Sequence, residues 1–393
     1  MQLSTTLQGG AGIAARRTHE ALRSVSVNSQ LFVLTKDADK QEGVKEISRS
    51  KVKKIQSKIV TSFQQKYFQS TEKLITPISI NSAFPALKNT EEFDLIHLHA
   101  FYNLLSVPQI AAIANEIYPK KFFVTLHDQR LLTGGCHYSG TCSRFENQCK
   151  NCPQSTFLGE PFVRKSHKES IHALSRLHNL VLIAPSQWLV TKAKLSSVTR
   201  DVPCHLVRNP VPDCFFNLPV QRNAKSIPNI GFVSLDLNNK WKGLSDFISA
   251  INRIRTDYPE LKFKLTFVGN GEVYGLSKTI EYEKIFVNSD EDMAKTLTTI
   301  DLVIVPSIED NLPSTMLEGL ASGCQVVGSR TGGITEILEK TGMNTFQPSS
   351  HSEIVQALLS FLDKPCVRTK NAFMNQFSYK TVAKSLVDLY STF

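Results

Sequence analysis

A chain of 393 residues is too long for one typical core, so two domains of about 150–200 residues each are expected. With 41% hydrophobic and 20% charged residues the composition is that of a soluble globular protein, which excludes fibrous and disordered classes. No apolar run reaches the roughly 18–20 residues a membrane-crossing helix needs. Met1 to Gly12 has no charged stretch followed by an apolar one, so a cytoplasmic chain with reduced cysteines is expected, free or seated on the inner membrane face. The net charge of +10 lies wholly in the first half: residues 1–205 carry 26 Lys and Arg against 15 Asp and Glu, and the remainder 19 against 20. Such asymmetry points to a first domain that faces something anionic: a membrane surface, a phosphorylated acceptor or nucleic acid.

Leu3 to Leu7 reads as a short strand, followed by a glycine turn, Gln8-Gly9-Gly10-Ala11-Gly12, and a helical spacing from Ile13 to Leu22. A glycine turn between strand and helix lets backbone approach a phosphate or sugar, although a tight turn without a ligand is the commoner case. Gln30 to Thr35 reads as a second strand. Lys45 to Lys73 holds eight Lys and Arg against Glu46 and Glu72, with Val52, Ile55, Ile59, Phe63 and Tyr67 at three- and four-residue spacing. That pattern predicts a basic amphipathic helix, packed on its own domain or lying on a membrane surface. Phe93 to His99 and Lys121 to Leu126 read as buried strands, the second ending at His127-Asp128. Leu180 to Ala184 leads through Pro185-Ser186 into a helix, and His205 to Arg208 precedes a stiff linker at Asn209-Pro210-Val211-Pro212.

The second half repeats the rhythm. Strands are expected at Asn229–Leu235, Lys262–Val268, Lys284–Val287, Leu302–Val305 and Gln325–Val327. Helices are expected at Gly243–Tyr258, from Pro313 as first helical residue to a stop at Gly323, after Arg330-Thr331-Gly332-Gly333, at His351–Leu362 and at Ser378–Thr392. Alternation in both halves predicts an α/β protein of two doubly wound, Rossmann-like domains. The expected division is 1–208, 209–375, and a C-terminal helix 376–393 packing back on the first domain.

Pro306 to Gly323 combines a buried strand end, a helix start and two acids. The free N–H groups and positive dipole end of a helix start are a natural seat for an anion. Asp310 lies in the loop before that seat and Glu318 within the helix, so the acids suit hydroxyl groups on either side of a phosphate, as in a sugar nucleotide. Surface acids on a loop and helix are the plainer alternative.

Cys136, Cys142, Cys149 and Cys152 lie within seventeen residues of a glycine-rich loop, 134–153. Four soft ligands in a short loop suit tetrahedral zinc, which supplies folding energy such a loop lacks. His137 could replace one thiol; an iron–sulfur cluster and four free thiols are the alternatives. The loop starts near His127 and is expected to shape an acceptor pocket.

Taken together, Gly9-Gly10-x-Gly12, Thr125-Leu126-His127-Asp128, Pro185-Ser186, Lys242-Gly243, Gly269-x-Gly271, the Pro306 to Gly323 block and Gly332-Gly333-Ile334-Thr335-Glu336 resemble the family 4 retaining glycosyltransferases of GT-B architecture, as in bacterial exopolysaccharide and lipopolysaccharide synthesis. The resemblance covers nearly the whole chain. It implies two Rossmann-like domains facing across a cleft, the first for the acceptor and the second for a UDP- or GDP-linked sugar. It implies a glycan or polyprenyl-linked acceptor and no catalytic metal. Read through it, His127, Asp310 and Lys242 serve catalysis. Gly10, Gly12, Lys240, Gly269, Asn311, Leu312, Pro313, Ser314 and Glu318 bind the donor, with Glu318 on the ribose and Asp310 on sugar hydroxyls. His99, Asp128 and Arg130 face the acceptor. Two positions depart from the family pattern: Asp310 stands where Glu is usual, and Asp236 where an arginine often meets the phosphates, which leaves that role to Lys240.

Two other readings compete. A nucleotide-sugar epimerase or a phosphorylase would share the architecture, but the His127-Asp128 and Asp310…Glu318 pattern weighs against it. A nucleic-acid-binding protein would use the basic half and a zinc loop, yet that half interleaves few of the aromatics that base stacking needs, so no nucleic-acid partner is expected.

Overall fold

The computed structural model describes residues 1–34, 41–47, 49–68, 75–79, 91–102, 104–217, 227–364 and 370–393. Thr35, Glu72, Lys73 and Cys366 lie outside them. By contacts the chain divides into two units, Met1–Asn209 with Val382–Phe393, and Pro210–Thr381.

The first unit carries seven strands: Gln2–Ser4 (β1), Leu31–Val33 (β2), Val44–Glu46 (β3), Ile96–Leu98 (β4), Phe122–Thr125 (β5), Leu180–Ala184 (β6) and Cys204–Leu206 (β7). They form one parallel sheet in the order β3-β2-β1-β4-β5-β6-β7. Helices Gly9–Ser24 (α1), Lys51–Tyr67 (α2), Val107–Glu116 (α3), Glu160–Leu174 (α4) and Gln187–Leu195 (α5) connect them. Parallel sheets are covered on both faces, so their strands run apolar without alternation, and Phe122, Phe123 and Val124 show it: all three are fully buried. Phe122 and Val124 join the larger core, with Ile110, Leu189 and Leu98. Phe123 points the other way, to Leu22 of α1 and to Val382 and Leu386 near the end of the chain.

The second unit holds Asn229–Asp236 (β8), Lys264–Asn270 (β9), Tyr282–Ile285 (β10), Leu302–Val305 (β11), Gln325–Ser329 (β12) and Thr345–Phe346 (β13), parallel in the order β10-β9-β8-β11-β12-β13. Its helices are Asp213–Phe216 (α6), Leu244–Asp257 (α7), Asp290–Leu297 (α8), Ser314–Ala321 (α9), Gly332–Thr341 (α10) and His351–Asp363 (α11). Tyr379–Thr392 (α12) begins in this unit, but its residues from Val382 onward belong to the first. Along β11, Leu302 and Ile304 enter one core while Val303 and Val305 enter the other. Each such side chain contributes about 1.5–3 kcal/mol of burial.

Several expected elements shift. The first strand ends at Ser4 rather than Leu7, and the glycines expected in a turn form the first turn of α1. Gly9 takes a φ of +73°, and a Cβ on Gly12 would stand 2.7 Å from the Thr6 carbonyl oxygen, so the helix starts against the loop it leaves. Val44–Glu46 is an edge strand, so the basic helix starts only at Lys51, where Ser50 caps it by accepting from the Lys53 N–H. The stripe expected along that helix divides. Phe63 and Tyr67 pack with Phe68 and Phe162, whereas Val52, Ile55 and Ile59 are 63%, 58% and 63% exposed. Pro313 is the N-cap of α9 rather than its first helical residue, and Gly323 ends the helix with φ +81°.

Candidate functional site

In open parallel sheets ligands bind beyond the carboxyl ends of strands, where the winding reverses. In the second unit that reversal lies between β8 and β11. The loop after β8 is a tight 3-10 turn, Lys240–Lys242, in which the Asn239 side chain accepts from the Trp241 N–H at 3.1 Å. Gly243 follows with φ +73°, and a Cβ there would stand 1.9 Å from the Pro306 carbonyl oxygen. The Ile308 N–H donates to the Trp241 carbonyl at 2.9 Å, so the loops after β8 and β11 are tied together. This joining brings Lys242 Nζ onto the Asp310 carboxylate as an ion pair.

Asp310, Asn311, Glu318 and also Glu309 are buried, whereas Lys240 is exposed. Leu312 belongs to the core beneath and Pro313 opens α9. The N-cap residues Pro313 and Thr331 make no side-chain capping bond, and the starts of α9 and α10 each present a positive dipole end. Gly332 has φ +54°, and a Cβ on it would lie 1.7 Å from the Asp310 carbonyl oxygen. Only glycine lets α10 begin against the Asp310–Asn311 loop, where the Gly333 N–H donates to the Asn311 carbonyl at 2.8 Å. Gly269 likewise sits on a carbonyl, that of Ser234, with φ +142°. Its role as placed here is to let β9 lie close to β8.

In the first unit the winding reverses between β1 and β4, and His99 follows β4 directly. His127 follows β5. Their rings are stacked with centroids 5.5 Å apart, and His99 Nδ1 lies 3.2 Å from His127 Nε2. Burial pushes the His127 imidazole down to about 4 and that of His99 well below its ordinary value, so both rings are neutral at pH 7. Asp128 accepts from the Arg130 N–H at 2.8 Å and meets His137 Nδ1 at 2.7 Å. Burial acts against its charge, but His137 and Arg130 hold the carboxyl below its usual value. The Arg130 guanidinium donates to Thr76 Oγ1 at 2.7 Å and Ser79 Oγ at 2.6 Å, and it stacks on Phe101. His99, His127, Asp128 and Arg130 thus line one pocket, with Phe101 and Tyr102. Gly10 and Gly12 are in the first turn of α1, one residue to either side of Ala11 in that pocket wall. Tyr102, packed edge-on against His137 and with its hydroxyl pKa raised by burial, was not singled out by the sequence reading. Its signal was its place three residues after His99.

Cys136, Cys149 and Cys152 pack with Phe145 and Phe68. The Cys136 thiol donates to Cys152, which draws Cys152 down to about 7 and raises Cys136, while burial pushes Cys149 up to about 12. Cys142 acts on Cys136 electrostatically. Among the described residues no three His, Cys, Asp or Glu side chains stand in an arrangement that holds a metal ion.

Comparison with known proteins places this geometry. The Escherichia coli (strain K12) protein described as a putative colanic acid biosynthesis glycosyl transferase, WcaC, is 20% identical over 292 residues, 71% of this chain and 70% of that one. An MMP alpha-(1->4)-mannosyltransferase of Mycolicibacterium hassiacum is 25% identical over 38% of this chain and 39% of its own. Among solved structures, Anabaena HepE in complex with UDP superposes over all of this chain and 99% of its own, with TM-score 0.63 and 14% identity. The lipopolysaccharide outer core galactosyltransferase WaaB does so over 100% of both chains, with TM-score 0.58 and 12% identity. Two parallel-sheet α/β domains of this kind are the GT-B fold. Residues 227–364 match the family described as Glycosyl transferases group 1, and they span β8 to α11 with every acid and lysine of the second-unit site. The chain thus has the GT-B fold, and its residues 227–364 match the glycosyl transferases group 1 family.

Proposed function

We propose that the chain is a family 4 retaining glycosyltransferase that moves a hexose from a UDP- or GDP-linked sugar to a glycan or polyprenyl-linked acceptor in cell-surface polysaccharide synthesis. The observation that carries this reading is the Lys242–Asp310 pair beside the positive ends of two helices, with Glu318 buried on the first of them. A diphosphate is the anion such a seat suits, and Lys242 can leave Asp310 for it. Glu318 accepts from the ribose hydroxyls, and Asp310 from hydroxyls of the donor sugar. As the bond from the sugar's C1 to the β-phosphate oxygen breaks, Lys242 and the helix starts stabilise the charge that collects on the phosphate. The acceptor oxygen bonds to C1 from the same face, and its proton passes to the leaving phosphate oxygen. His127, with His99, Asp128 and Arg130, holds the acceptor and the donor sugar. Support for a uridine nucleotide comes from the similarity to HepE, which was solved with UDP-glucose.

Calorimetric titration with UDP, GDP and ADP tests the donor site. One of the three should bind wild type, and Glu318→Ala should weaken that binding by about 10- to 100-fold through loss of a charged hydrogen-bond acceptor. Asp310→Ala should keep most of it. Equal affinity in wild type and Glu318→Ala would remove Glu318 from the ribose.

A second part of the proposal concerns α2. Three apolar side chains stand out in solvent on a helix that also presents Lys51, Lys53, Lys54 and Lys58, which is the composition of a segment that lies on an anionic bilayer. Vesicles containing anionic lipid should sediment wild type and leave a variant with these four lysines changed to Gln in the supernatant. Equal sedimentation of the two would exclude α2 as the contact. No helix among the described residues is long and apolar enough to cross a membrane.

A further inference from the structure

Behind His127 runs a line of buried polar groups, of which the chemistry above uses only the first, His99. His99 Nε2 lies 2.9 Å from Gln2 Oε1, on β1. Gln2 Nε2 donates to Ser29 Oγ at 2.7 Å, just before β2. Ser29 Oγ lies 2.8 Å from Nδ1 of His19 on α1, and His19 Nε2 lies 3.1 Å from the carbonyl oxygen of Glu42. Gln2, His19, Ser29 and His99 are each less than 5% exposed, so water does not compete for these bonds. Gly43 makes the last contact possible: its φ is +75°, and a Cβ on it would press to 3.0 Å from the His19 ring.

The direction of the whole line follows from its far end. A carbonyl oxygen only accepts, so His19 must donate from Nε2. Burial lowers the pKa of His19 as it does those of His99 and His127, so each ring has one donor and one acceptor nitrogen. His19 Nδ1 therefore accepts from the Ser29 hydroxyl, and Ser29 accepts from the Gln2 amide N–H. Gln2 then turns its oxygen to His99, which donates from Nε2 and accepts at Nδ1. The only proton that can fill the last bond is the one on His127 Nε2.

We propose that this line, from the Glu42 carbonyl through His19, Ser29, Gln2 and His99, fixes His127 as the Nε2–H tautomer with Nδ1 as its acceptor nitrogen, and that Gln2, Ser29 and His19 are positioning residues for the reaction at His127. The assignment of a reaction rests on the proposed function; the tautomer does not. An imidazole that presents a lone pair accepts from a sugar or acceptor hydroxyl. The other tautomer would offer an N–H in its place, which is a different recognition and a different proton inventory.

Long-range proton–nitrogen correlation spectra of the full chain with ¹⁵N-labelled histidine read the tautomer directly, and Ser29→Ala cuts the line at its middle. In wild type, His19, His99 and His127 should each show Nε2 protonated and Nδ1 bare. In Ser29→Ala the Gln2 amide loses the group that orients it, so His99 and His127 should each divide between two tautomers. With transfer assayed, kcat should fall on the order of 10-fold with KM for the donor unchanged. Ser29→Thr, which keeps the hydroxyl, should restore both readings. The wild-type spectrum stands by itself if Ser29→Ala does not fold. A wild-type His127 protonated at Nδ1 overturns the proposal, as do identical tautomers in wild type and a folded Ser29→Ala. A tautomer change in a protein that transfers no sugar supports the line and removes the enzymatic reading instead.

Discussion

Replacing Lys242 by Ala should lower kcat by about 10²- to 10³-fold, the loss typical when one fixed group is taken from a developing charge. The side chain is held at the second-unit site by two ties: the 3-10 turn capped by Asn239, and the close seat of Gly243 on Pro306. Its ammonium is preorganised by Asp310 before any ligand arrives. The diphosphate of a bound donor is already anionic, so affinity for the nucleoside diphosphate also falls, but by less than the rate, because the charge Lys242 meets is largest when the bond to C1 has broken. Single-turnover transfer beside calorimetric binding separates the two effects. A kcat within about threefold of wild type would move the role to Lys240, whose exposed side chain stands at the other end of the same 3-10 turn.

The next largest effect is expected from the cysteines. We propose that Cys136, Cys142, Cys149 and Cys152 hold a structural zinc ion once their thiols draw closer than in the arrangement found here, a reading supported by four free thiols in one loop. The Cys136–Cys152 hydrogen bond is then the contact that zinc replaces. Elemental analysis after purification without chelators should find about one zinc per chain. Its removal should cost about 3–5 kcal/mol and lower the Tm by about 10 °C, since metal binding to such a loop is folding free energy. Metal-free protein with an unchanged melting curve in added chelator ends the idea.

Much of the fold was legible because parallel strands are apolar runs bounded by turn chemistry. Leu302–Val305 and Leu180–Ala184 have the bounds the sequence predicts. The placement of Asp310 in a loop and of Glu318 in the helix after it was legible for the same reason, as they follow a strand whose end is unambiguous. The start of the chain was not. Its glycines read as a turn before the helix, whereas they form the first turn of α1, with Gly12 packed close on Thr6. Val107–Glu116 carries a capping box, Ser106 with Gln109, that was present in the sequence and not used there. The polar line behind His127 was beyond reach. Gln2, His19, Ser29 and His99 are ordinary residues on four segments, and only the pairing of β1 with both β2 and β4 makes them neighbours.

The last helix also sets an order of assembly. His97, beside His99 in ring contact, has its Nδ1 on the Tyr390 hydroxyl at 2.7 Å across 293 positions of sequence, and Tyr390 packs on Phe123. On a ribosome, then, the unit that is made first is finished last. The whole of the second unit is synthesised before the residue that closes the back of the histidine strand has been joined to the chain.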